Sequence, residues 1–169
     1  MIELYEGVPG SGKSYHAICE KFLPWVRQGR RLYIAVDGIY LDRLSLFTGI
    51  DLDTLEQQIT IWKDSVEVLQ AFPYVEPGSA VIIDEAQTVF RSMQKVEPGL
   101  LRWLETHRHY GVDILLMSQD FRQMSQGVTR LIEATVKFRK LAFVGLSKKY
   151  QGKVRGNPED NEVIRAFVG

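Results

Sequence analysis

Cys19 is the only cysteine in the chain. One thiol allows neither an internal disulfide nor a cysteine-based metal site, so neither can staple the fold. Long apolar runs are missing too. No stretch approaches the roughly 18 residues that a membrane-spanning helix needs. No secretory leader is expected, because a strand and a loop begin at once. With the lone thiol, these absences predict a reducing, cytoplasmic setting. Repeats and low-complexity tracts are also lacking. Charge of one sign is not in excess: 21 basic and 21 acidic residues cancel. The net charge therefore demands neither nucleic acid nor an acidic membrane as partner.

What is present suits an ordinary globular chain, with 45% apolar and 25% charged residues. At 169 residues it is long enough for one full core, so a single domain over 1–169 is expected. Charge is unevenly spread. Asp51 to Glu85 holds eight acidic residues against one basic, whereas Phe121 to the end holds ten basic and four acidic. A basic end of one subunit can thus face the acidic flank of a neighbour, or face DNA; ordinary solvated scatter is the plain alternative.

Strand patterns run through Ile2–Glu6, Arg31–Val36, Ile59–Trp62, Ala80–Ile83 and Val112–Met117. Helical patterns fall between them, at Tyr15–Trp25, Leu41–Phe47, Asp53–Gln58, Asp64–Ala71 and Gly99–His107, the last opened by Pro98. Phe121–Ile132 reads as mainly helical. Thr135–Val144 and Lys148–Val154 read as a hairpin turning near Gly145, and Asn157–Asp160 as the start of a last short helix. Met93, Met117, Met124 and Cys19 read as packing residues. Strands alternating with helices predict an α/β fold: a central, mostly parallel sheet flanked by helices, with a C-terminal β-hairpin. Ligands bind such sheets beyond the carboxyl ends of the strands.

At the first such end stands Gly7-Val8-Pro9-Gly10-Ser11-Gly12-Lys13-Ser14. This is the phosphate-binding pattern G-x-x-x-x-G-K-[ST], in the strand–loop–helix context that it requires. Glycines at 7, 10 and 12 let successive N–H groups turn toward one anion. Pro9, Ser11 and Tyr15 complete the loop and open the helix. Lys13 is placed to reach the β and γ oxygens of ATP, and the Ser14 hydroxyl to bind Mg²⁺. A glycine-rich turn with a chance lysine is the alternative.

The apolar run Ala80–Ile83 ends in Asp84-Glu85, the Walker B arrangement. There Asp84 suits Mg²⁺ and Glu85 suits the attacking water. The strand through Ile114–Met117 ends in Ser118-Gln119. In the additional-strand class of P-loop NTPases, which is RecA-like, a polar residue at that place contacts the γ-phosphate or the water. Gln119 or Ser118 fits, with a turn residue as the alternative. Hydrolysis also needs a cation at the transferring phosphoryl group. Arg102, Arg108, Arg122 and Arg130 are candidates for a finger from a neighbouring subunit. The sequence does not choose among them, and Arg108 is carried forward as the candidate catalytic arginine.

The loop through Tyr15, then Ile82-Ile83-Asp84-Glu85-Ala86-Gln87, then His107-Arg108-His109-Tyr110-Gly111 running into Ser118-Gln119, together resemble the ATPase domain of the zonular occludens toxin (Zot) family. The resemblance covers Met1 to about Arg139. It implies an ATPase motor at the cytoplasmic face of a bacterial inner membrane, driving assembly and extrusion of filamentous phage. It further implies a transmembrane segment beyond this chain and phage coat or assembly proteins as partners. Phage single-stranded DNA is a further candidate partner, and motor logic adds a homo-oligomeric ring, plausibly a hexamer. A nucleic-acid translocase or helicase, a nucleotide-gated scaffold and a small-molecule kinase are the rival readings.

Overall fold

The computed structural model describes residues 1–141 and 149–169. Among the described residues, eight strands form one sheet in the order β3-β2-β4-β5-β1-β6-β7-β8. They are β1 (Ile2–Glu6), β2 (Leu32–Ala35), β3 (Ile59–Ile61), β4 (Ala80–Ile83), β5 (Asp113–Ser118), β6 (Ala134–Lys140), β7 (Tyr150–Arg155) and β8 (Arg165–Val168). The first six pair in parallel, and β7 and β8 extend the sheet antiparallel. The expected parallel core and C-terminal hairpin are both present. The hairpin's turn near Gly145 lies outside the described residues.

The sheet is covered on both faces, which is why β4 and β5 read as continuous apolar runs. Side chains alternate between two cores. Leu4, Val81, Ile83, Ile114 and Leu116 pack with α5 (Ser65–Ala71), α6 (Ala86–Val89) and α7 (Pro98–Thr106). Tyr5, Ile34, Ile82, Leu115 and Met117 pack on the other face with α1 (Lys13–Ala17), α2 (Leu23–Arg27), α3 (Leu41–Thr48) and α4 (Leu52–Gln58). Between α1 and α2 the helix continues as a π turn, Ile18–Phe22, where the Leu23 N–H donates to the Ile18 carbonyl. Pro24, which has no N–H to give, follows at once.

Asp51 and Asp64 cap α4 and α5 through their carboxylates, and Glu97 caps α7 ahead of Pro98. Among the described residues no helix is long and apolar enough to cross a membrane.

Three expectations are corrected. Phe121–Ile132 is not one helix. It forms a 3₁₀ turn at Phe121–Gln123 and a short α8 (Gln126–Thr129). The backbone between them pairs with the 90–92 segment instead: Ser125 N–H donates to Phe90 O at 2.8 Å and Ser92 N–H to Gln123 O at 2.9 Å. Asn157–Asp160 is a turn closed by the Asp160 carboxylate on Asn157 N–H, and strand β8 follows it, not a helix. Met93 is almost fully exposed and Cys19 half-buried, so neither is a core residue.

Candidate active site

Parallel pairing brings the carboxyl ends of β1, β4 and β5 to one edge of the sheet. The loop 7–14 leaves β1 there. It is locked from below: Gly7 N–H donates to Ser118 O at 3.1 Å, and Ser11 N–H to Val8 O at 3.1 Å. Gly12 has φ +94°, a left-handed conformation that favours glycine, and a Cβ there would meet the Tyr150 ring at 2.5 Å. Gly10, with φ +74°, has open space where a ligand can approach. The Ser11 hydroxyl is buried and has no partner among the described residues. A buried donor left free inside this loop suits an anionic ligand. The hollow over the loop is about 280 Å³.

Lys13 is buried, and its ammonium lies 3.8 Å from Asp84 Oδ1. Ser14 Oγ donates to Asp84 Oδ2 at 3.4 Å. A hydroxyl and a carboxylate side by side are the oxygen donor set that suits Mg²⁺, which keeps most of its other positions for water and phosphate.

Glu85 follows with φ 48° and ψ 45°, the one non-glycine residue in the left-handed region among those described. Asp84 helps hold this turn by accepting the Glu85 N–H at 2.8 Å. The Glu85 side chain is aimed by two amides that converge on Oε2: Gln87 Nε2 donates to it, and Gln119 Nε2 donates at 3.3 Å. Strain at a polar residue held by its neighbours is a mark of functional sites. Ser118 has a different part, since its hydroxyl turns to Asp120 O and its carbonyl fixes Gly7.

The structure thus joins Gly7, Pro9, Gly10, Ser11, Gly12, Lys13, Ser14, Tyr15, Asp84, Glu85 and Gln119 at one edge. It does not bring Arg108 there. Arg108 lies at the opposite end of the sheet, in an ion pair with Glu133, whose Oε1 also accepts the Ile2 N–H at 3.1 Å. His107 is buried beside the same carboxylate and its Nδ1 lies 2.6 Å from Leu104 O. Burial holds its pKa below the ordinary histidine value. This His-Arg pair anchors the amino end of β1. Of the other arginine candidates, Arg122 stands at the edge of the site, where Asp120 holds it and its carboxyl pKa falls below the usual range because of that pairing.

Several neighbours of the site escaped the sequence reading. Asp37, Lys63 and Asp64 line a small hollow of about 190 Å³ with Asp84 and Glu85. Gln87 steadies Glu85. Lys137 pairs with Glu6 at 3.4 Å beside Gly7, and Arg139 and Lys140 follow it on β6. Asp37 and Lys63 lie just past the carboxyl ends of β2 and β3, a position that could have singled them out, whereas Lys137 lies mid-strand and reaches the site through its register with Glu6 at the end of β1.

Because β5 stands between the loop strand β1 and the acidic strand β4, the fold is that of the P-loop NTPases, RecA-like and of the additional-strand class. Comparison with solved structures agrees. The N-terminal domain of zonular occludens toxin from Neisseria meningitidis superposes with a TM-score of 0.61 at 20% identity, over 99% of this chain and 91% of that one. The genome packaging NTPase B204 of Sulfolobus turreted icosahedral virus 2, in complex with AMPPCP, does so with a TM-score of 0.61 at 17% identity, over 99% and 95%.

The model of the Zonular occludens toxin (Zot) family matches residues 1–166, and the chain belongs to that family. Among its relatives, the Gene 1 protein of Xanthomonas phage phiLf is 26% identical over 164 residues, 89% of this chain and 37% of that protein. The putative assembly protein ORF301 of Pseudomonas phage Pf3 is 26% identical over 170 residues, 96% of this chain and 50% of that protein. The chain therefore spans half or less of the length of these relatives.

Proposed function

We propose that the chain is the ATP-binding and ATP-hydrolysing motor domain of a phage assembly machine. One observation carries the reading: Lys13 and Ser14, on the loop after β1, meet Asp84 at the end of β4, with Glu85 aimed by Gln119 from the strand between. Loop amides and Lys13 bind the phosphates of ATP. Ser14 and Asp84 hold Mg²⁺, which offsets phosphate charge when bound. Glu85 takes a proton from water as the water oxygen bonds to the γ-phosphorus. The bond from that phosphorus to the β–γ bridging oxygen breaks, and ADP and phosphate leave.

A cation must still offset the charge that develops, and a neighbouring copy supplies it in this reading. Arg108, at the far end of the sheet, serves only from such a neighbour. The subunits then form a ring, plausibly a hexamer. The ring sits on the cytoplasmic face of the bacterial inner membrane, with coat or assembly proteins as its load and a membrane segment in a longer chain. The relative named as a putative phage assembly protein supports the assembly role. Phosphate release from ATP by wild type, Lys13→Ala and Glu85→Gln tests the enzyme reading. Turnover confined to wild type supports it, and no turnover at any protein concentration overturns it.

A second reading is a DNA translocase. The likeness in fold to a packaging NTPase and the basic run Lys137, Arg139 and Lys140 beside the site favour it. DNA binding that weakens with salt, together with DNA-stimulated turnover, would establish it over the first.

A further inference from the structure

A groove of about 460 Å³ lies between α1, its π turn and α3. Its walls are apolar and aromatic: Ile18, Phe22 and Ile39 form the floor, and Tyr15, Tyr40 and Phe47 the rim. The rim is unusual for a surface. Tyr15 is 67% exposed, Tyr40 58% and Phe47 67%. Large rings left in water and gathered round one hollow call for an occupant.

We propose that this groove is the nucleobase pocket, taking the purine ring of the nucleoside triphosphate whose phosphates lie at the loop. The inference rests on the nucleotide reading above. Continuity argues for it first. Tyr15 follows Ser14 directly and lines both the groove and the hollow over the loop, so a molecule leaving the phosphate site on that side enters the groove. Size agrees, since small-ligand pockets span about 300–1,000 Å³ and are mostly apolar.

The chemistry agrees as well. Aromatic faces stack on bases, and Arg43, whose guanidinium sits 5.0 Å from the Tyr40 ring centroid, adds a donor at the rim. Tyr15 is not loose: its ring stands edge-on to Tyr150 at 6.5 Å, and Tyr150 packs on Gly12. Two other hollows at the site lack exposed rings. One sets Asp37, Asp64, Asp84 and Glu85 beside the buried Trp62, and the other sets Arg122, Lys137, Arg139 and Lys140 beside Val8 and the buried Phe138.

The test compares ATP with inorganic tripolyphosphate, each with magnesium, by calorimetry on wild type, Tyr40→Ala, Phe47→Ala and Tyr40→Phe. These side chains are exposed, so the variants should fold, and circular dichroism checks that they do. Wild type is expected to bind ATP at least about tenfold more tightly than tripolyphosphate. Each alanine variant is expected to lose roughly five- to tenfold in ATP affinity and nothing in tripolyphosphate affinity. Tyr40→Phe should retain wild-type values, because the ring remains. Equal wild-type affinity for the two ligands, or alanine variants with unchanged ATP affinity, would overturn the base pocket while leaving the phosphate site intact. Groove variants that alter self-association and not ATP binding would overturn it too, and would assign the groove to a second copy of the chain. If wild type bound neither ligand, the nucleotide reading itself would fall, and this inference with it.

Discussion

Lys13 lies 3.8 Å from the Asp84 carboxylate and Glu85 follows Asp84 in the chain, yet the two have separable tasks. Lys13 is buried with Asp84 as its only ionic partner among the described residues, so its charge is available to phosphate. Lys13→Ala should abolish tight ATP binding. Glu85→Gln should preserve binding and lower turnover by roughly 10²–10⁴-fold. Equal binding loss in both variants would undo the division of roles.

The backbone at Glu85 supports a third prediction. Left-handed backbone costs a residue with a Cβ about 1–2 kcal/mol, and glycine's extra unfolded freedom takes back part of that. Glu85→Gly should therefore raise stability by about 0.5–1 kcal/mol while removing turnover, read from the urea midpoint and phosphate release. A variant less stable than wild type would show that the strain is not there. At this scale the sequence was legible wherever chemistry fixes spacing, as in the loop and the Asp84-Glu85 pair. Gln87 and Lys137 were not legible, because their roles depend on which strands become neighbours.

Among the elements, β7 and β8 do more than extend the sheet. Their Tyr150 and Phe167 join Phe138 of β6 and Tyr5 of β1 around His16 of α1, with His16 stacked on Phe167 at 4.8 Å and its Nδ1 3.0 Å from the Tyr150 hydroxyl. The loop and the C-terminal strands are thereby one packed unit. Burial pushes the His16 pKa below its ordinary 6.5. The unfolded chain then binds a proton more readily than the folded one, so stability is fully present above about pH 6.5 and falls as pH drops toward the folded value. His107 acts in the same direction. Urea midpoints measured from pH 8 to pH 5 should decline, and His16→Gln should make the decline shallower. An unchanged slope in that variant would contradict the packing argument.

Helix and strand patterns were readable where the periodicity served one partner. Phe121, Met124, Val128 and Ile132 misled because their helical spacing buries them on one side even though the backbone pairs with the 90–92 segment. Strand β8 was missed because four residues with mostly exposed side chains carry little alternation.

The whole molecule places its site at one edge of the sheet and Arg108 at the other. A site whose cation arrives from another copy should depend on assembly. Turnover per subunit should rise with protein concentration and level off at the concentration where sedimentation shows self-association to be complete. Full specific activity at the lowest concentration would contradict this. The α/β class and the mostly parallel sheet were legible from the alternation of elements alone. The position of Arg108 was not, because only the assembled sheet decides which loops share an end.

The most direct measurement for the central claim is calorimetric titration of wild type and Lys13→Ala with ATP and magnesium. Saturable binding near one nucleotide per chain is expected for wild type, and its loss in the variant. Absence of binding to wild type, or equal binding to both, would contradict it.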